Sequence, residues 1–286
     1  MKKIFVTKES GDREVFSVAK LRASLKKSGA RRQQIEEVLN QITSHIRPGM
    51  RTSEIYRLSF QLLKSLGKPY AARYSLKRAI MSLGPSGFPF EKYLAAILTE
   101  NGYRTHTNQI FEGRCITHEV DVVAEIPDKN IHAIIEAKFH NRPGHKTGSK
   151  DAMYSHARFI DINESWVAKR KRGAKPAKGE LQSWLMTNTK VTSQARQYAE
   201  CVGMQIISWT YPHGNSLQDL IETKGLYPVT ALTTLSKRQK DDLLRIGVVL
   251  CKDIVQDAKI LKRLRLSPAS RNRLIDEIQT LCGGIV

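Results

Sequence analysis

Apolar and polar positions divide the chain into three stretches with different periods. From 1 to 85 two short apolar runs precede helical spacing. Ile4-Phe5-Val6 and Glu14-Val15-Phe16 flank Gly11-Asp12 and predict paired short strands. Ser17 is a helix cap for Val18 to Ser28, which Gly29 stops. Ile35, Val38, Leu39 and Ile42 recur at helical spacing, as do Ile55, Leu58, Leu62 and Leu66 before Gly67. Tyr70 to Leu83 predicts a further helix, ended by Gly84-Pro85, and Ser86-Gly87 reads as a linker.

From 86 to 215 strand and helix periods alternate. Phe88 to Asn101 predicts a helix in which Glu91 shares a face with Leu94, Ala95 and Leu98. A carboxylate on a core-facing stripe is costly unless it is paired or metal-associated; the plain alternative is a Glu at the stripe's edge reaching solvent. Tyr103–Phe111, Glu119–Ile126, Ile131–Lys138, Trp184–Asn188 and Met204–Trp209 predict strands. Helices are expected over Asp151–Ile162 and, after a cap at Thr192 or Ser193, over Ala195 to Val202. The run Lys169-Arg170-Lys171-Arg172, with Lys175 and Lys178, reads as a basic loop that contacts phosphate without reading bases. Residues 216–286 are helical in pattern. Within them Arg245-Ile246-Gly247-Val248-Val249 carries the apolar-Gly-apolar step of a helix-hairpin-helix, with Lys252, Lys259, Lys262, Arg263 and Arg265 nearby; a plain packing module fits equally.

The chemistry concentrates in one hairpin. Glu119–Ile126 and Ile131–Lys138 are β-branched runs about Pro127-Asp128-Lys129-Asn130, all but Lys129 turn formers. Pairing Ile126 with Ile131 sets Asp121 opposite Glu136 and Glu119 opposite Lys138. Facing carboxylates repel, so a compensating cation is expected, and magnesium takes one or two carboxylates plus phosphate and water. Lys138 shares the face of Glu136 and is suited to orient water or stabilise charge on phosphate. The bland reading is a surface strand with Glu119–Lys138 and Asp121–Lys138 ion pairs.

A net charge of +20 over 286 residues and a pI near 9.9 favour a polyanionic partner, nucleic acid before membrane. No apolar run approaches the roughly 20 residues of a spanning helix, and the N-terminus lacks a signal-peptide pattern, so a cytoplasmic protein without membrane contact is expected. Cys115, Cys201, Cys251 and Cys282 form no CxxC pair, which argues against a zinc ribbon; buried free thiols are expected.

Two resemblances sharpen this. Val6-x-Lys8, Val15-Phe16-Ser17-Val18-Ala19-Lys20-Leu21 and Ala72-Arg73-Tyr74 resemble the ATP-cone of ribonucleotide reductases and their transcriptional repressor. The resemblance implies that Val6, Lys8 and Lys20 line an adenine nucleotide pocket, with the lysines on phosphate and ATP or dATP as a regulatory ligand. The family often has Lys-Arg where this chain has Lys8-Glu9. Phe90-Glu91-Lys92-Tyr93, Glu119-Val120-Asp121, Glu136-Ala137-Lys138 and Thr187…Thr192-Ser193-Gln194-Ala195-x-x-Tyr198-Ala199 resemble the Mrr-type branch of the PD-(D/E)xK nucleases. That resemblance implies magnesium on Asp121 and Glu136, Lys138 acting on the attacking water, Glu91 supporting the metal site, and Gln194 pointing back at it. The loop from Asn141 through Lys178 is longer than a minimal core of this kind needs.

The chain is thus expected to be multidomain, α+β and α/β. A mostly helical ATP-cone spans 1–85, a restriction-endonuclease-like mixed sheet flanked by helices spans 86–215, and a helical module spans 216–286. The function this implies is a magnesium-dependent endonuclease on double-stranded DNA, regulated by adenine nucleotide and working as a homo-oligomer. A non-catalytic nucleotide-responsive DNA-binding regulator is the alternative, and an RNA-processing factor a weaker third.

Overall fold

The computed structural model describes residues 3–9, 11–126, 128, 130–171 and 179–283. Strands β1 (Phe5–Thr7) and β2 (Arg13–Val15) pair antiparallel, with Val6 opposite Glu14. Helices α1 (Val18–Lys26), α2 (Arg32–His45) and α3 (Thr52–Leu66) follow, and Ser17 caps α1 by accepting from the Lys20 amide at 3.2 Å. Leu25, Ile35, Ile42, Leu63 and Ala71 close a small core of their own. The single helix expected over 70–83 is instead two, α4 (Lys68–Tyr74) and α5 (Leu76–Met81). The break falls at Ser75, whose hydroxyl donates to Ala72 O at 3.1 Å and competes with helical continuation.

Helix α6 (Phe88–Glu100) leads into a five-stranded sheet. Its strands are β3 (Arg104–Glu112), β4 (Thr117–Ile126) and β5 (Ile131–Lys138), then β7 (Glu180–Thr187) and β9 (Gln205–Ile207). Between them lie β6 (Lys146–Thr147), α7 (Ser149–Lys171), β8 (Lys190–Val191) and α8 (Ser193–Val202), with β6 and β8 pairing apart from the main sheet. The order β3-β4-β5-β7-β9 is antiparallel for the first two pairs and parallel for the last two, a mixed sheet as expected. Val122, Ala124, Ala133 and Ile135 pack on the α6 side, while Val123 and Ile134 meet Phe159 and Ile162 of α7.

Helix α7 runs well past the expected Ile162. Lys169, Arg170 and Lys171 form its last turn rather than a loop, where cations favour the helix C-terminus. Arg172, Lys175 and Lys178 of the expected basic loop lie outside the described residues, as do Pro127 and Lys129 of the bend. Residues 216–283 form α9 (Leu217–Lys224), a 3-10 turn (Val229–Ala231), α10 (Lys237–Arg245), α11 (Asp253–Gln256), α12 (Ala258–Arg263) and α13 (Pro268–Cys282).

One core crosses the boundaries expected at 85 and 215. It joins Ala79 and Ile80 of α5, Phe90 and Tyr93 of α6, and Ile221, Leu243 and Ile278 of the C-terminal helices. Tyr93 Oη donates to Leu226 O at 2.8 Å, and Thr230 Oγ1 to Ala79 O at 2.6 Å. Among the cysteines Cys251 is buried and Cys282 half-buried, but Cys115 and Cys201 are exposed, against expectation. Among the described residues no helix is long and apolar enough to cross a membrane.

Candidate active site

The hairpin register is the one the bend dictates. Pairs run from Ile126–Ile131 to Val122–Ile135 and stop there. One residue on, the strands part, and Asp121 Oδ2 accepts the Ala137 amide at 2.7 Å, filling the ladder position with a side chain. Asp121 and Glu136 are therefore neighbours across a parting of the strands rather than a ladder pair. Burial and then the facing Glu136 carboxylate push the Asp121 carboxyl up to about 6. Glu136 is 9% exposed and lies against Ile134, Ser155 and Phe159.

The Glu119–Lys138 and Asp121–Lys138 ion pairs of the bland reading are not what forms. Lys138 Nζ sits 2.9 Å from Glu136 Oε1. Burial lowers the Lys138 ammonium's affinity for its proton, but the Glu136 hydrogen bond and the negative charges of Glu136, Asp151 and Asp121 together outweigh it, so its pKa rises. Glu91 reaches the site from the first turn of α6, half-buried, and burial raises its carboxyl against the opposing hydrogen bond from Asn108. Asn108 Nδ2 donates to Glu91 Oε2 at 3.3 Å and to Glu119 Oε1 at 3.0 Å, from a backbone at φ 53° that asparagine tolerates. Glu119 and Glu136 both act electrostatically on Glu91, as Glu136 and Glu91 do on Asp121, so the four carboxylates form one acidic cluster. Gln194 does not join them: it is exposed in the first turn of α8 and makes no hydrogen bond to these carboxylates.

Sequence spacing missed Arg158. Its Nη1 donates to Glu136 Oε2 and its Nη2 to Glu119 O. Helix α7 is held for this by Asp161, which accepts from Cys115 N at 2.8 Å, Ile116 N at 3.2 Å and His118 Nε2 at 2.8 Å. Tyr154 lies under both cations, its ring 5.5 Å from Lys138 Nζ and 5.7 Å from Arg158 Cζ. An arginine and a tyrosine near the start of a helix after the ExK strand are the only signal the sequence carried.

The donor set is all oxygen, which suits a hard divalent cation. Among the described residues no group of three His, Cys, Asp or Glu side chains forms a ready cage. Magnesium, expected on Asp121 and Glu136, would have to draw the rest of its shell from water and phosphate.

In the N-terminal unit Val6 and Lys20 line a pocket of about 230 Å³ with Phe16, Tyr56 and Tyr74. Lys8 stands beside it; both lysines sit 3.1 Å from Glu14 Oε2, and their hydrogen bonds, Lys20's first, lower the Glu14 carboxyl. The sequence reading missed the aromatic wall. Tyr56 and Tyr74 stack at 5.1 Å, and Arg78 Cζ lies 3.6 Å over the Tyr56 ring. In the C-terminal module Gly247 makes a left-handed turn at φ 85°, but Val248, Val249 and Leu250 beyond it are buried. That step packs the module. Lys252 is held by Glu100 at 2.5 Å, Lys259 and Lys262 are exposed, and Arg263 and Arg265 line an open groove with Arg238.

The family model for the ATP cone domain matches residues 4–82, and the model described as AF1548-like, C-terminal, matches 227–282. An uncharacterized protein of Archaeoglobus fulgidus is 38% identical over 191 residues, covering 66% of this chain and all of its own length. The chain belongs to the AF1548-like family. A solved structure described as that of AF1548, a protein of unknown function, superposes with a TM-score of 0.54 at 37% identity, over 70% of this chain and all of that one. The chain thus carries an ATP-cone domain at its N-terminus and an AF1548-like domain at its C-terminus.

Proposed function

We propose that this protein is a magnesium-dependent endonuclease of the Mrr restriction type, acting on double-stranded DNA under the control of ATP or dATP bound in the cone. The observation that carries the reading is the parting of β4 and β5, where Asp121 and Glu136 meet with Lys138 in a protein of net charge +20. Such a site gathers anionic oxygen for a cation and cationic groups for a phosphodiester. Magnesium held there would polarise the phosphate and lower the pKa of a bound water. Asp121 is mostly ionised at neutral pH and offers its free oxygen while Ala137 N holds the other. Lys138 orients the attacking water or meets charge developing on the phosphate. Glu91, tied through Asn108 to Glu119, fixes the acidic wall from the α6 side.

The regulatory half is supported by packing. Tyr74 ends α4 at the nucleotide pocket, and after the break at Ser75 helix α5 enters the core that also holds α6, the helix of Glu91. A nucleotide with different affinity for two placements of α4 and α5 shifts the site with them. Cutting both strands calls for two such sites, so the working unit is at least a dimer.

One observation favours a second reading, a non-catalytic nucleotide-responsive DNA-binding protein: Lys138 and Arg158 engage both oxygens of Glu136, as in a structural ion-pair network. Supercoiled plasmid incubated with magnesium, with and without ATP or dATP, separates the two. Endonuclease function gives nicked and linear DNA that vanishes with Asp121→Ala and changes with nucleotide. Intact plasmid under every condition, with retained DNA binding, establishes the second reading.

A further inference from the structure

Four carboxylates, Glu91, Glu119, Asp121 and Glu136, face two cations, Lys138 and Arg158. Lys138 holds Glu136 Oε1 and Arg158 holds Glu136 Oε2, so both oxygens of that carboxylate are engaged, one of them by the guanidinium. Arg158 also keeps a second bond, to Glu119 O, and a ring beneath it in Tyr154. Releasing Glu136 therefore leaves the guanidinium anchored beside the cluster with one edge of its planar fork free. A guanidinium fork matches phosphate oxygens two at a time, which an ammonium does not.

We propose that Arg158 and a divalent cation compete for Glu136, and that Arg158, the counter-ion of that carboxylate, becomes a substrate-phosphate clamp when the cation displaces it. This rests on the nuclease reading of the site and adds the group that recognises the scissile phosphate. It assigns a direction that an ordinary structural ion pair does not share. An arginine present only to neutralise Glu136 holds that carboxylate in place, and its loss disorders the site and weakens metal binding. An arginine that competes with the metal weakens binding while present, and its loss tightens it.

The test titrates manganese alone into the full chain by calorimetry, for wild type, Arg158→Ala, Glu136→Gln and the double variant. Arg158→Ala is expected to bind manganese about tenfold tighter, the lower range for one hydrogen bond to a charged group. The gain should disappear in the Glu136→Gln background, which locates it at that carboxylate. With calcium in place of manganese, Arg158→Ala should hold duplex DNA several-fold more weakly than wild type. Unchanged or weakened manganese binding in Arg158→Ala overturns the proposal. Should Arg158→Ala fold poorly, Arg158→Lys decides: it keeps the charge but loses the two-point grip, and tighter manganese binding with weaker DNA binding is again required. Plasmid cleavage that depends on Asp121, together with unchanged manganese affinity in Arg158→Ala, sinks this proposal alone. Tighter manganese binding in Arg158→Ala with no cleavage by wild type leaves the exchange standing and sinks the nuclease reading.

Discussion

Replacing Asp121 with Asn should stabilise the metal-free protein, and only at the higher end of the pH range. The folded state keeps a proton on Asp121 up to about pH 6, whereas an unperturbed aspartate releases it near 3.8. Between those values the folded state binds more protons than the unfolded one, so stability falls as pH rises through the window. The deficit is complete above about pH 6 and absent below 3.8. A difference of about 2 pH units corresponds to roughly 3 kcal/mol, and screening of a partly open carboxyl reduces it to on the order of 2 kcal/mol. Asparagine keeps the shape and an oxygen for the Ala137 amide but carries no charge to repel Glu136. Scanning calorimetry in chelator should show Asp121→Asn melting about 4 °C above wild type at pH 8 and close to it at pH 4. Saturating manganese should reverse the order, because wild type gains binding free energy that the variant cannot. A variant less stable than wild type at pH 8, or equally shifted at both pH values, refutes the claim that Asp121 is held against electrostatic and burial costs.

Lys20→Ala should lower ATP affinity about tenfold by calorimetry, while Glu14→Gln should raise it several-fold by freeing both lysines for phosphate. Gly113→Ala places a methyl 1.9 Å from Asp161 Oδ2 and 2.5 Å from Ile116 O, so the clamp that seats α7 must open; a loss of about 2 kcal/mol is expected by denaturant unfolding, with a matching loss of DNA cleavage. Glu277 is buried and accepts from Thr233 N at 2.6 Å, Thr233 Oγ1 at 2.7 Å and Thr234 N at 2.9 Å. Glu277→Gln turns one acceptor into a donor facing donors, and should cost about 3 kcal/mol in the same measurement while leaving metal binding unchanged.

What was legible in the sequence was what local rules control. A four-residue bend between two β-branched runs fixed which residues pair, and with it the meeting of Asp121 and Glu136. Helical spacing placed Glu91 on the face of α6 that carries the buried Leu94, Ala95 and Leu98. What stayed hidden depends on distant contacts. The parting of the strands after Val122 comes from a side chain replacing a backbone acceptor, which no period records. Arg158 reaches Glu136 across 22 residues of chain, on a helix whose seat is set by Asp161 and the β3–β4 turn. Helix α7 outruns its expected end at Ile162, and its last turn is basic: a run of lysines and arginines resembles a loop until a helix C-terminus needs cations. The core shared by α5, α6 and the C-terminal helices was invisible because each helix carries an ordinary apolar stripe that does not name its partner.

The most direct measurement is a count of bound manganese by electron paramagnetic resonance in wild type, Asp121→Asn and Glu136→Gln. One tightly bound ion per chain in wild type, lost in both variants, is the result expected if the parted strands exist to hold a divalent cation. No saturable site in wild type, or a site that survives both substitutions, contradicts that claim.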